Sequence, residues 1–353
     1  MSINALPSDP PLVRAGEVPA LPGGVAGGLS LPMMAAYIPM MAASAIASAG
    51  RLGLFEALAG GPSTPADLAA RLRLDPEAVV RLTDFLVAIG HLRRDQRMVA
   101  NAPHMTQWFS SHGAVDYRAG LDWTMDAWRI MQDLPDAVAR GGPDRPLWDR
   151  MDAEPALGTR FSRYMQAFAS HLLPDLLDRV ELPDKAARLL DLGGSHGCHA
   201  AGFCQAYPGM SAVIVDLESA LGETEGRIAQ AGLADRVRTR PGDIRALDWG
   251  SGYDVALYLG VAHNMRPDEN QRIFAHLARV LRPRGVLVIH DYPRETTPDV
   301  FEAAFRLTLL VETGTRTYAF AELHAMLRAA GFADCRLETL QPAEKGALII
   351  ARR

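Results

Sequence analysis

The residues best suited to chemistry begin at Asp191, which is followed by Gly193, Gly194 and Gly197 in the run Leu-Leu-Asp-Leu-Gly-Gly-Ser-His-Gly-Cys-His from Leu189 to His199. An apolar stretch, Ala186–Leu192, predicts a strand running into this turn, and Ala200–Tyr207 predicts a helix after it. Strand, glycine turn and helix in this order present backbone N–H groups to a nucleotide-type ligand. Glycine suits the turn because a backbone without Cβ approaches a ligand closely and adopts positive φ. A dinucleotide fingerprint requires Gly-x-Gly-x-x-Gly. Counted from Gly193 the later glycine positions hold Ser195 and Cys198; counted from Gly194 they hold His196 and His199, so both registers fail. An acid this close to the turn repels a pyrophosphate and attracts an ammonium or sulfonium centre, so a cationic ligand is expected.

Further candidates fall at the ends of later strands. Ser211–Val215 predicts a second strand ending in Asp216, somewhat over twenty residues beyond the turn, where an acid takes ribose hydroxyls. Val237–Arg240 leads to Pro241-Gly242-Asp243-Ile244, which offers Asp243 to an adenine amino group. Tyr253–Leu259 delivers Gly260-Val261-Ala262-His263-Asn264 to the same edge, and Val286–His290 ends at Asp291-Tyr292-Pro293. Helices are expected at Leu221–Gly232, at Asp268–Leu281 (closed by Arg282-Pro283-Arg284-Gly285), at Val300–Val311 and at Ala321–Ala330. Two short strands, Cys335–Thr339 and Ala347–Ala351, pair as a closing hairpin. Strands alternating with helices predict a doubly wound α/β sheet.

The chain has 353 residues, enough for two domains. A net charge of −5 with acids and bases intermixed disfavours a general nucleic-acid binder. Cys198, Cys204 and Cys335 form neither a disulfide framework nor a metal-ligand spacing, so a reducing cytoplasm and no protein-bound metal are expected. Residues 1–30 are rich in Pro, Gly and small side chains and predict a poorly ordered arm. Leu31–Ala49 carries no charge, but its Ala, Met and Ser content and its two prolines, Pro32 and Pro39, point to a helix buried between subunits rather than a membrane span.

Three short helices and a hairpin follow: Arg51–Leu58, a helix capped by Thr64 before Pro65, a helix opened by Asp75-Pro76-Glu77, and the pairing around Arg93–Arg97. This is a winged-helix pattern. A DNA-reading role would use the third helix, yet that helix carries Glu77 and Asp84 as well as Arg81, which favours a dimerisation platform. Ala114–Arg179 predicts helices loaded with aromatic and methionine side chains, among which Tyr164, Met165 and Phe168 are candidates for an apolar pocket.

Asp-x-Gly-Gly-x-x-Gly, the acid ending strand two, Gly-Asp-Ile, a His at the end of strand four and the closing hairpin together resemble a class I S-adenosylmethionine-dependent methyltransferase. The winged-helix front end makes the chain similar to the small-molecule O-methyltransferases that include plant caffeate and bacterial polyketide enzymes, over roughly residues 31–353. The resemblance implies a Rossmann-like seven-stranded α/β methyltransferase domain preceded by a helical, winged-helix dimerisation domain. The division expected is an arm at 1–30, a dimerisation domain at 31–110, a helical connector contributing to the substrate pocket at 111–180, and a cofactor-binding domain at 181–353.

By the same resemblance Asp191, Gly193, Gly194 and Gly197 form the cofactor loop, Asp216 and Leu217 hold the ribose, Asp243 and Ile244 flank the adenine, and Met165 closes over the cofactor. His263 falls at the family's general base and Asp291 at the carboxylate that orients it, with Tyr164, Phe168 and Asn264 lining the acceptor pocket. A homodimer, a small-molecule acceptor, no nucleic acid and no membrane span are implied. The chain departs from the pattern at Ser195 for a turn glycine, Asn264 for the Asp after the base, and Thr315 for a glutamate that braces the imidazole. A neutral His near pH 7 is the side-chain type suited to deprotonating a hydroxyl during methyl transfer. Methylation of carbon or sulfur, or a relative that transfers no methyl, is the alternative on the same scaffold; outside enzymes, the alternative is a DNA-binding regulator.

Overall fold

Prolines and capping side chains start most of the N-terminal helices. The computed structural model describes residues 32–113, 116–246 and 248–353; the expected arm, 1–30, lies outside them. Helix α1 spans Pro32–Arg51, α2 Leu54–Ala59, α3 Pro65–Leu72 and α4 Pro76–Ala88, followed by strands β1 (Leu92–Asp95) and β2 (Met98–Asn101) and by α5 (Pro103–Phe109). The Thr64 hydroxyl accepts from the Asp67 N–H at 3.1 Å and the Asp75 carboxylate from the Ala78 N–H at 2.8 Å, capping α3 and α4 as their sequences predict. The expected helix Arg51–Leu58 is instead broken: α1 runs through Arg51, and Gly53 turns left-handed at φ 77° before α2 begins. Pro39 sits inside α1. Leu54, Phe55, Leu68, Leu86, Val99 and Met105 form the core of this unit, whereas Tyr37, Met40 and Met41 on α1 are exposed.

The chain divides into two units at Leu121/Asp122, a boundary inside α6 (Arg118–Met131). Helices α7 (Leu134–Arg140), α8 (Leu147–Ala153) and α9 (Pro155–Arg179) follow. Then come β3 (Arg188–Leu192), α10 (Cys198–Ala206), β4 (Ser211–Asp216), α11 (Thr224–Gln230), β5 (Val237–Pro241), β6 (Tyr253–Leu259), α12 (Pro267–Val280) and β7 (Leu281–Asp291). Helices α13 (Asp299–Glu312) and α14 (Phe320–Ala330) and strands β8 (Asp334–Thr339) and β9 (Ala347–Arg352) close the chain.

The seven strands form one sheet in the order β5-β4-β3-β6-β7-β9-β8, with β9 antiparallel to both β7 and β8 and the other pairings parallel. Alternate strand residues enter two cores, one on each face. Leu190, Ala256, Leu287 and Ile349 pack with Phe274, Leu277 and Leu327 on one side; Leu189, Val255, Val288 and Leu348 pack with Leu172, Leu176 and Phe203 on the other. The largest departures from the expected boundaries in this unit are at α11 and β7. The helix expected from Leu221 starts at Thr224 after a 3-10 turn, and β7 begins at Leu281 because the register slips between Tyr253 and Val255, accommodating Arg282–Gly285 as an irregularity in the strand. Strand order reverses between β3 and β6. The crevice at their carboxyl ends is where open α/β sheets hold ligands.

Candidate active site

Every strand-end candidate comes to this carboxyl edge. Gly193 and Gly197 both adopt φ 73°, which L side chains avoid. Close packing dictates Gly194: a Cβ there would lie 2.6 Å from Asp191 Cγ, 2.7 Å from Asp191 Oδ2 and 2.8 Å from an Ile214 methyl. Ser195 shows how a non-glycine fits this turn. It takes φ 30°, its N–H donates to Asp216 Oδ2 at 2.9 Å, and its hydroxyl reaches Ser162 Oγ and the Ala220 carbonyl, each at 3.3 Å. The side chain that replaces the usual glycine is therefore held by polar contacts to Ser162 on α9 and to the Ala220 carbonyl.

Two acids face the turn, Asp191 buried and Asp216 half-buried. Burial, reinforced by the nearby charge of Asp216, lifts the Asp191 carboxyl to about 7 against a hydrogen bond from Ala200. Its Oδ2 has no hydrogen-bond partner among the described residues. An orphaned buried carboxyl beside glycines with no room for Cβ fits a cationic amino group brought by a ligand, whose charge would favour the ionised form. Burial also lifts Asp216, to about 6, although it accepts from the N–H groups of Leu217 and Ser195. Leu217 follows it directly, at the start of the 3-10 turn.

Asp243 is placed differently from its neighbours. Its carboxylate already holds Arg245, with contacts of 2.7 and 3.0 Å, and this guanidinium keeps it ionised below its usual range. An adenine amino group would have to share that carboxylate with Arg245. Ile244 beside it is buried. On α9, Met165 and Phe168 are half-buried, the Phe168 ring lying 5.8 Å from that of His290. Tyr164 stacks on Trp123 at 6.0 Å and borders Phe161, in a cluster that also includes Leu147 and Met151, and it is close enough to Tyr292 to help burial raise that phenol's pKa.

His263 sits on the 3-10 turn Ala262–Asn264 that follows β6. Its Nδ1 lies 2.9 Å from Asp291 Oδ1, and its backbone N–H donates to Asp291 Oδ2 at 3.1 Å. Burial pushes the Asp291 carboxyl up, but the neighbouring His263 and the Tyr292 N–H outweigh it and hold the group below its ordinary value. A carboxylate on Nδ1 places the proton there and leaves Nε2 as the acceptor nitrogen. The Asn264 side chain donates to the Gly260 carbonyl at 3.3 Å, and the Thr315 hydroxyl donates to the His263 carbonyl at 2.6 Å. Thr315 thus anchors the backbone of the turn rather than the imidazole.

Sequence reasoning missed Phe305 and Glu312 on α13. The Phe305 ring packs edge-on against the His263 ring at 4.9 Å. Glu312 lies seven residues later on the same helix face, a spacing that would have flagged it once Phe305 was known to face the site. His196 and His199 are buried beside the turn and burial holds both below the usual range, His196 at about 3, so neither carries charge at neutral pH. Among the described residues no cluster could hold a metal ion, and no helix is long and apolar enough to cross a membrane.

Comparison with known proteins gives a consistent picture. Residues 131–333 match the O-methyltransferase domain and residues 37–109 the O-methyltransferase dimerisation domain. A 3-hydroxy-5-methyl-1-naphthoate 3-O-methyltransferase of Streptomyces sahachiroi is 29% identical over 308 residues, covering 84% of this chain and 86% of its own. The aclacinomycin 10-hydroxylase RdmB of Streptomyces purpurascens is 27% identical, covering 82% of this chain and 80% of its own. The crystal structure of human N-acetylserotonin methyltransferase in complex with SAM superposes with a TM-score of 0.80 at 19% identity, over 94% of this chain and 99% of that one.

Proposed function

The chain belongs to the O-methyltransferase family of S-adenosylmethionine-dependent enzymes, and on that premise we propose that it methylates a hydroxyl oxygen of a flat, apolar small molecule with His263 as general base. The observation that carries this reading is the 2.9 Å pairing of His263 Nδ1 with the buried Asp291, which keeps Nε2 free to take a proton.

S-adenosylmethionine, when bound, supplies a methyl group activated on a sulfonium. Asp191 takes its ammonium, Gly193, Gly194 and Gly197 allow the close approach, Asp216 with Leu217 takes the ribose hydroxyls, and Asp243 with Ile244 meets the adenine. His263 Nε2 accepts the hydroxyl proton as the oxygen attacks, and Asp291 offsets the positive charge left on the ring. Tyr292, Phe301 and Phe305, whose rings lie 5.1 to 6.0 Å from one another, supply an apolar wall that suits an aromatic acceptor and excludes water. Met165 and Phe168 complete the cover from α9.

The exposed Tyr37, Met40 and Met41 of α1, on a segment that matches a dimerisation domain, support a homodimer. On α4, Arg81 is paired with Glu77 and Asp84 with Arg94, so its charges are engaged within the protein, which supports partners other than nucleic acid.

The hydroxylase among the relatives supports a second reading, in which the same cradle holds the cofactor without methyl transfer. Acceptor-dependent release of S-adenosylhomocysteine, one for each methylated product, separates the two; oxygenated product without that release favours the second.

Affinity for S-adenosylmethionine should depend on pH through Asp191. An ammonium binds the ionised carboxylate, so below about pH 7 binding must first expel a proton. The dissociation constant should rise as pH falls from 7 to 5, by up to about tenfold per unit. Calorimetry across this range measures the slope. In Asp191→Asn the affinity should be weaker and its residual slope smaller, since Asp216 also titrates near there; an unchanged slope would remove Asp191 from the site.

A further inference from the structure

Glu312 closes α13 and has no part in the steps above. Residues Phe301, Phe305 and Glu312 are spaced to share one face of that helix. Phe305 is the residue whose ring meets His263 at 4.9 Å, and the chain just past the helix end is tied to the same turn by the Thr315 hydroxyl on the His263 carbonyl. The stripe therefore carries Glu312 to the neighbourhood of the base. There it feels the charges of His263 and of Arg150 on α8, whose guanidinium donates to Asp133 at 2.6 Å, while Asp291 holds Nδ1 of the imidazole. Glu312 makes no hydrogen bond among the described residues. A half-buried carboxyl with no protein partner beside the base is open to one brought by a ligand. His263 is not that partner's substitute, because Asp291 already holds Nδ1 and the acceptor oxygen is assigned to Nε2.

We propose that Glu312 is a specificity-determining residue whose carboxyl receives a second polar group of the acceptor, a hydroxyl or amino donor next to the oxygen that gives its proton to His263. The inference rests on the O-methylation reading. It selects, among flat aromatic acceptors, those with a donor beside the reacting hydroxyl. Burial holds the Glu312 carboxyl at about 7, so its ionised, stronger-accepting form grows in as pH rises through neutrality.

The test is a panel of paired phenols, naphthols and hydroxyanthraquinones, each with and without a hydroxyl beside the reacting one, turned over by the full chain and by Glu312→Gln. Wild-type kcat/KM should favour the donor-bearing members by roughly 10- to 100-fold. That ratio should widen as pH rises through about 7; proton transfer to His263 is common to both members and cancels. In Glu312→Gln the ratio should collapse towards parity and lose its pH dependence, with turnover of the single-hydroxyl members retained. Glu312→Leu, read per folded enzyme, should collapse it as well. A wild-type preference that is absent, or that survives in both variants, overturns this inference alone. Failure of the wild type to methylate any member while still binding S-adenosylmethionine overturns the O-methylation reading, and this inference with it.

Discussion

Replacing His263 with alanine should slow methyl transfer by about 10²- to 10⁴-fold while leaving affinity for S-adenosylmethionine within about twofold. The imidazole is nearly buried, and its two nitrogens have separate employment: Nδ1 on Asp291 at 2.9 Å, Nε2 for the acceptor. Removing the ring takes away the proton acceptor and leaves the charge of Asp291 without its partner. The cofactor groups, Asp191, Asp216 and the glycine turn, belong to β3, β4 and the loops after them, so binding and chemistry should separate cleanly in this variant. The comparison to make is single-turnover rate against calorimetric affinity. An unchanged rate would mean that the acceptor arrives already ionised or that another group takes its proton.

Gly194→Ala should have the second large effect, this time on binding. The new Cβ would fall 2.6 Å from Asp191 Cγ and 2.8 Å from an Ile214 methyl, distances that force a shift of the acid assigned to the ammonium. Overpacking of this kind costs about 1–3 kcal/mol, which in affinity is roughly one to two orders of magnitude. Gly209→Ala is the matched control, since a Cβ there meets nothing within 4 Å. Calorimetric titration with S-adenosylmethionine and S-adenosylhomocysteine should show the loss in the first variant and not in the second. Equal affinities would place the ligand away from this turn.

Much of the arrangement was legible because the acids lie at or near the ends of apolar runs. Asp191 is the penultimate residue of its run, Asp216 follows Val215 and Asp291 follows His290, and parallel packing brings these strand ends to one edge. Caps were legible for the same local reason, Thr64 and Asp75 each standing one residue before a proline that opens a helix. What escaped depends on side-chain choices between neighbours or on tertiary packing. The clasp of Arg245 on Asp243 is a rotamer outcome between residues two apart. Which rings Tyr164 meets, Trp123 and Phe161, is likewise settled only when the helices pack. Glu312 reads as an ordinary acid at a helix end until the helix is docked with Phe305 on His263. Pro39 interrupts a helix in local terms, yet α1 continues through it to bury Ala45, Ala47 and Ala49.

The most direct measurement is transfer from S-adenosylmethionine carrying a carbon-13 methyl group to an aromatic hydroxy acceptor, with the product examined by nuclear magnetic resonance. The label should appear as a methoxy carbon on the acceptor, in step with S-adenosylhomocysteine, and His263→Ala should make almost none. A label on carbon, nitrogen or sulfur, or a methoxy product formed as fast without His263, would contradict O-methylation with His263 as base.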